Sequence, residues 1–268
     1  MPYETILLDK DEGVATLILN RPQKQNALDS QILDEAAEAI RELNDDDETK
    51  VLIITGAGRA FCSGADLTAP VSGTDTTAPD LSRRARTEPF ARFGRMMKCL
   101  AEFDKPSIAA VNGAAVGAGL SIALLCDIRI ASENARFSSI FVRRGLVADC
   151  GATFYLPRLV GVAKALELMW TGDIIDAREA ERIGLVRCVV PAEELMKEAK
   201  EFAFRLARGP SVAIELMKRM VYDGLNANNF HSQLAHEDFA QCVARLTEDY
   251  KEGVDSFIEK REAQFKGR

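Results

Sequence analysis

Two glycine-rich segments about fifty residues apart, Ala60-Phe61-Cys62-Ser63-Gly64-Ala65-Asp66-Leu67 and Asn112-Gly113-Ala114-Ala115-Val116-Gly117-Ala118-Gly119-Leu120, carry their chemistry in the main chain. Small residues there let a substrate approach the backbone closely. N–H groups at a turn and at a helix N-terminus that converge on one oxygen stabilise negative charge developing on it. Loss of one such donor typically costs roughly 3–4 kcal/mol of transition-state stabilisation. An oxyanion hole of this kind suits enolate and acyl chemistry. A single Gly-x-Gly would more often be only a turn, so the reading rests on the two segments together.

The surrounding pattern supplies the elements that must position them. Val51–Thr55 reads as a buried strand feeding the first segment, and Ile108–Val111 as a strand before the second. Tyr3–Asp9 and Val14–Leu19 flank Asp11-Glu12-Gly13 as a hairpin, and Asp29 or Ser30 can cap a helix running to about Asn44. Ile128–Ala131 and Leu185–Val190 complete an alternation of strands and helices, which predicts an α/β fold. Asp176 and Glu179 have the spacing of a capping box, and Pro191 precedes an amphipathic helix over 193–207. The segment 211–265 reads as almost continuous helix, expected to dock on its own core or on a neighbouring subunit. Between the glycine segments, 68–89 contains three prolines and no periodicity, the pattern of a loop or lid over a site.

Composition excludes several classes. With 268 residues and 47% hydrophobic content the chain can bury a large core, and its net charge of −7 argues against nucleic-acid partners and a polybasic membrane surface. Anionic substrates must then be met by local donors. Six scattered cysteines without a CxxC pair, and histidines only at 231 and 236, predict a reduced, cytoplasmic protein without a metal site. The N-terminal residues lack a signal-peptide pattern, and the most apolar stretch, 107–126, is interrupted by Asn112 and followed by Asp127 and Arg129, which argues against a membrane span. Neither Gly56-Ala57-Gly58 nor Gly117-Ala118-Gly119 has the third glycine of a dinucleotide site, since Phe61 and Ile122 stand there. No GK[ST] of a phosphate loop exists.

Taken in order, the motifs resemble the crotonase (enoyl-CoA hydratase/isomerase) superfamily along nearly the whole chain. The matching pieces are Leu19-Asn20-Arg21-Pro22 with Asn26-Ala27-Leu28, the 60–67 segment, Lys105-Pro106 and Ala110-Val111-Asn112-Gly113. They continue through Cys126-Asp127-Ile128-Arg129-Ile130-Ala131, Leu156-Pro157-Arg158-Leu159-Val160-Gly161, 177–184 and Phe257-Ile258-Glu259-Lys260-Arg261. The resemblance implies a spiral core of ββα units over 1–205 and a C-terminal helical region over 206–268 that builds trimers or dimers of trimers. It also implies an acyl-CoA substrate, with coenzyme A as part of that substrate and no other cofactor. By position, the thioester oxygen would sit between the N–H groups of Ala65 and Ala118. Residues 23–27, including Lys24 and Ala27, would hold the CoA together with the backbone around Asp66 and Leu67, and Gly117 and Phe141 would touch the substrate. Lys24 reads equally well as a solvated surface lysine.

The same resemblance exposes a departure. The family's hydratases use two glutamates, and their positions here are Ser121 and Phe141, neither of which is an acid or base at neutral pH. The segment 145–153 instead is similar to the branch containing dienoyl-CoA isomerases and the epoxide-to-oxepin isomerases of phenylacetate breakdown, which carry an aspartate where Asp149 stands. A carboxylate among Phe141, Leu146 and Val147 would suit proton transfer between carbons, because apolar surroundings raise a carboxyl pKa. Asp149 could alternatively cap the helix that starts near Thr153 or close a turn. Isomerisation through Asp149 is the expectation. The alternatives are a hydratase using Asp75, Asp80 or Glu88, an acyl-CoA binder without turnover, an RNA-binding relative, and a dehalogenase, whose tryptophan partner is matched here by Phe141. Arg143 and Arg144 stand just before the Asp149 turn and could steer CoA, pair with a neighbouring subunit or be solvated. Trp170 is expected in the core, and Cys62 reads as a packing residue.

Overall fold

Reversal of the chain at Glu12 and Gly13, with φ of 43° and 81°, pairs β1 (Ile6–Asp11) with β2 (Val14–Leu19) as the expected antiparallel hairpin. The computed structural model describes residues 3–68, 92–226 and 229–268. The expectations for the 68–89 loop, with Asp75, Asp80 and Glu88, therefore lie, apart from Thr68, outside the described residues. Helix α1 (Ser30–Asp45) starts where Asp29 accepts the N–H groups of Gln31 and Ile32, and it buries Ile32, Leu33, Ala36, Ile40 and Leu43 along one stripe.

From here the chain winds as a spiral of two strands and a helix. β3 (Val51–Gly56) and β4 (Ala60–Cys62) form one turn, and α2 (Arg92–Ala101) leads to β5 (Ser107–Val111) and β6 (Ala114–Val116). α3 (Ala118–Leu125) leads to β7 (Ile128–Ser132) and β8 (Arg136–Ser138), followed by α4 (Ala152–Val160) and α5 (Val162–Thr171). β9 (Ile175–Asp176), α6 (Ala177–Arg182) and β10 (Cys188–Val190) close the core. Each turn gives one strand to a six-stranded sheet, ordered β1-β2-β3-β5-β7-β10, and one to a four-stranded sheet, ordered β4-β6-β8-β9. The first sheet is parallel from β2 to β10, and in the second only β9 runs antiparallel to its neighbour. This is the α/β spiral that the motifs imply.

Strand β3 shows how one sequence serves two cores. Leu52 and Ile54 point into the large cluster shared with α1 and α3, while Val51 and Ile53 face the cluster formed with Leu195, Ala199, Ala203 and Ala207 of α7 (Leu195–Ala207). Both faces are apolar because both are covered, so the strand reads as a continuous hydrophobic run rather than an alternating one.

Three expectations are corrected. The segment 211–265 is three helices, α8 (Ser211–Gly224), α9 (Phe230–Ala244) and α10 (Glu248–Glu259), because Asn229 and Thr247 accept the N–H groups of Ser232 and Tyr250 and restart the helix each time. The strand expected over Leu185–Val190 shortens to β10, since the Leu185 carbonyl is taken at 2.7 Å by the Arg129 guanidinium. Trp170 is 71% exposed rather than in the core. Helix α5 buries Ala165 and Leu168, and a residue two positions beyond Leu168 is rotated to the opposite face. At Asp176 only half of the capping box forms: its carboxylate accepts the Glu179 N–H, while the Glu179 carboxylate turns to Arg182 and Lys164.

Candidate active site

The two glycine-rich segments meet because neither has side chains in the way. At Gly119 in α3 a Cβ would lie 2.2 Å from the Cys62 carbonyl oxygen, and at Gly64, where φ is +93°, one would lie 2.8 Å from the Val116 oxygen. Only glycine allows the start of α3 to dock on the chain leaving β4. The peptide of Ala65 is then fixed from both sides, as the Leu28 N–H donates to the Gly64 oxygen at 2.8 Å and the Asp66 N–H to the Leu28 oxygen at 2.9 Å. The N–H groups of Ala65 and Ala118 have no acceptor among the described residues. Every residue of α3 is buried, so the positive end of its dipole acts in a low-dielectric setting where it is strongest.

Both N–H-bearing residues line a cavity of about 420 Å³. Of the residues singled out in the sequence, Ala65, Leu67, Gly117, Ala118, Phe141 and Asp149 are on its wall. Lys24, Ala27 and Asp66 are not. Ala27 is buried, and its carbonyl accepts from the Arg21 guanidinium; Lys24 is exposed and its Nζ donates to Thr68 Oγ1 at 3.3 Å. The Asp66 carboxylate accepts from Thr68 and pairs with Arg21 at 3.1 Å. These contacts, the Thr68 hydroxyl foremost, hold its carboxyl down to about 2. The three therefore frame the Ala65 turn from behind.

Asp149 does not cap a helix with its side chain, but its main chain closes the turn that precedes one. Helix α4 opens on Gly151, whose φ is 86° and which has no side chain to cap with, while the Asp149 main-chain oxygen accepts from Ala152 N at 3.0 Å. The intervening Cys150 sits at φ +55°, a left-handed conformation that costs a non-glycine residue on the order of 1 kcal/mol and aims this turn at the cavity. Burial pushes the Cys150 thiol well above its ordinary range, and the Asp149 charge beside it adds to the effect, so the thiol stays protonated. Asp149 is thus presented to the cavity next to a neutral S–H.

Ser121, at the first glutamate position, is fully buried behind the wall. Its hydroxyl lies 3.2 Å from the Asp149 main-chain oxygen and 3.4 Å from the Gly117 oxygen, which ties the Asp149 turn to the helix that carries Ala118. Phe141, at the second, offers only a ring. Sequence reasoning misses Phe93 and Ile140 on the wall, includes Ser63 only within the first glycine segment, and leaves Arg144 to steer CoA, pair with a neighbouring subunit or be solvated. Phe93 comes from α2, after the aperiodic segment, where no local signal marks it. Cys62 is fully buried and its thiol is pushed up to about 12 by that burial, which fits packing and not nucleophilic chemistry.

The described residues contain no cluster of three or more His, Cys, Asp or Glu able to hold a metal, and none of their helices is long and apolar enough to cross a membrane. The profile described as "Enoyl-CoA hydratase/isomerase" matches residues 9–268. Crotonyl-CoA hydratase of Syntrophomonas wolfei is 40% identical over 267 residues, covering 99% of both chains. 1,2-Epoxyphenylacetyl-CoA isomerase of Escherichia coli K12 is 38% identical over 265 residues, again covering 99% of both. The crystal structure of enoyl-CoA hydratase from Bacillus anthracis superposes with a TM-score of 0.89 at 34% identity, covering 99% of this chain and 100% of that one.

Proposed function

The chain belongs to the enoyl-CoA hydratase/isomerase family, and we propose that within it this protein moves the double bond of an enoyl-CoA, without adding water. The observation that carries this reading is that Asp149, the one carboxylate on the described cavity wall, shares that cavity with Ala65 and Ala118, while the two glutamate positions hold the buried Ser121 and the wall residue Phe141. The thioester oxygen accepts from both N–H groups. Asp149 takes a proton from C2 of a 3-enoyl thioester, the electron pair delocalises into a dienolate whose oxygen the hole stabilises, and the same carboxyl returns the proton to C4. One base serves both carbons, and atoms balance without water or a further cofactor. Lys24, Ala27 and the Asp66–Leu67 backbone hold the CoA portion along the outer edge of the Ala65 turn.

A hydratase is the second reading, favoured by the 40% identity to a protein named crotonyl-CoA hydratase. The two are separated by offering 2-enoyl-CoA and 3-enoyl-CoA to the protein and to Asp149→Asn, following product mass and retention. Isomerisation gives a retention shift at constant mass that the variant loses. Gain of one water, retained in the variant, sinks the assignment to Asp149. Binding with no product from either thioester supports an acyl-CoA binder instead.

We also propose assembly into trimers or pairs of trimers, supported by the apolar residues that α9 and α10 leave exposed in the single chain, among them Phe230, Phe239, Phe257 and Ile258. Light scattering behind a sizing column tests it: a monomer at micromolar concentration overturns it. The six free cysteines fit a reducing, cytoplasmic setting.

A further inference from the structure

We propose that Arg144 reads an anionic group on the acyl chain itself, so that the preferred thioesters are those whose acyl part carries a second, free carboxylate. This rests on the acyl-thioester reading above and names the substrate class for the same cavity.

The wall bears two charged side chains among the described residues, Asp149 and Arg144; the rest is largely apolar, with Leu67, Phe93, Ile140, Phe141, Leu146 and Val147. A plain hydrocarbon tail offers a cation on such a wall no partner. The neighbouring arginine shows the contrast. Arg143 is engaged by Asp173 at 2.9 Å and reaches toward the Thr171 carbonyl, whereas Arg144 has no hydrogen-bond or ion-pair partner among the described residues. The first has a structural task and the second is left facing the cavity.

Position decides which end of the substrate Arg144 meets. Ser63–Leu67 and Gly117–Ala118 build the thioester end, and the CoA cradle proposed above lies behind the Ala65 turn. Arg144 belongs to the 140–150 segment of the wall and lies five residues before Asp149, the carboxylate assigned above to the reacting acyl carbons. A guanidinium presents a planar fork that fits a carboxylate in two parallel hydrogen bonds. It also offsets the repulsion that an acyl carboxylate would meet from Asp149 and from a chain of net charge −7.

The test compares two pairs of thioesters of equal chain length, one member ending in methyl and the other in carboxylate. A saturated pair is titrated by calorimetry, and a 3-enoyl pair is assayed for kcat/KM, with the native protein, Arg144→Gln and Arg144→Lys. Every member carries the same CoA phosphates, so the ratio within a pair isolates the acyl end. The expected result is a preference of about tenfold for the carboxylate end in both measurements, lost in Arg144→Gln, partly kept in Arg144→Lys and reduced by added salt, because the cation is exposed. Equal treatment of the two ends by the native protein overturns the proposal. So does an equal loss on both ends in Arg144→Gln, which would place the cation on the CoA phosphates. If the saturated pair shows the Arg144-dependent ratio while neither enoyl thioester turns over, the isomerase reading fails and this one stands; turnover of both with a ratio of one is the reverse.

Discussion

Asp127 and Asp149 stand near opposite ends of the buried helix α3 and are held in opposite ways. Asp127, just past the C-terminus, has its carboxylate saturated: it accepts from Ser107 N at 2.7 Å, Ser107 Oγ at 2.9 Å and Tyr222 Oη at 2.9 Å, and it pairs with Lys218 at 2.8 Å. A negative charge there opposes the helix dipole, and Lys218 offsets it together with Arg129, whose guanidinium takes the last carbonyls of α3. Burial, with the Asp127 charge beside it, also pushes the Tyr222 hydroxyl above its ordinary range, so it remains a donor. Near the other end, the bonds from Ser121 and Ala152 fall on the main chain of Asp149, and its carboxylate, with the Cys150 thiol beside it, lies on the cavity wall. A carboxylate that joins α8 to the core is satisfied by protein; the one proposed to bind a moving proton is left on the cavity wall.

The sharpest way to break this contrast is to remove each charge in turn. Asp149→Asn is expected to lower kcat by about a thousandfold, the middle of the range for a lost general base, while the thermal midpoint moves by less than about 2 °C. A large fall in the midpoint with a small fall in kcat would make Asp149 structural. Asp127→Asn should do the opposite. It leaves Lys218 half-compensated in a largely buried position and is expected to cost about 2–3 kcal/mol in urea unfolding, with kcat of the folded fraction within about twofold of the original. Equal urea midpoints for the two proteins would show that the cluster does not anchor α8.

The sequence showed one side of this contrast more clearly than the other. The strands β2, β3, β5 and β7 and the cap at Asp29 are legible because their signals are local: apolar runs of strand length and a capping residue before a periodic stripe. Residues 60–67 and 112–120 point to the cavity because small residues stand out from their surroundings, whereas 145–153 is marked only by its resemblance to the aspartate-bearing branch of the family. The partners of Asp127 do not stand out. Tyr222 lies 95 positions away on α8, and nothing in its own neighbourhood marks it. The three-residue strands β4, β6 and β8 are equally hidden, since their register is set by the sheet and not by their own composition. Asn229 and Thr247 did carry a readable capping signal, outweighed by the helical character on both sides.

Ser121 links the two ends of the contrast, because its hydroxyl joins the Asp149 turn to α3 without entering the cavity. With Asp149 as the proposed base it acts as a positioning residue, and Ser121→Ala is expected to reduce kcat about five- to tenfold with KM within about twofold, since the loss falls on the alignment of that base and not on binding. A rise in KM with kcat preserved would place Ser121 in substrate binding. No change in either would show that Cys150 and Gly151 alone hold the turn.

Asp66 tests the contrast where it is most demanding, since it adjoins Ala65 yet is held like Asp127, with Arg21 and Thr68 occupying its oxygens. Proximity to the proposed oxyanion hole then confers no catalytic part, and its carboxylate should register in stability against pH. Its folded pKa is lowered from 3.8 to about 2. A depressed carboxylate pKa contributes stability that is fully present above the unfolded value and is lost as pH falls through the folded one, here from about 4 down to about 2. The contribution is on the order of 2 kcal/mol at neutral pH, before loss to solvent screening. Asp66→Asn should therefore unfold at lower urea than the native protein at pH 6, and the two curves should converge as the pH approaches 2.5. A gap that stays constant over that range would mean that the Asp66 contacts stabilise through shape and neutral hydrogen bonding, and that charge saturation does not distinguish the framing carboxylates from Asp149.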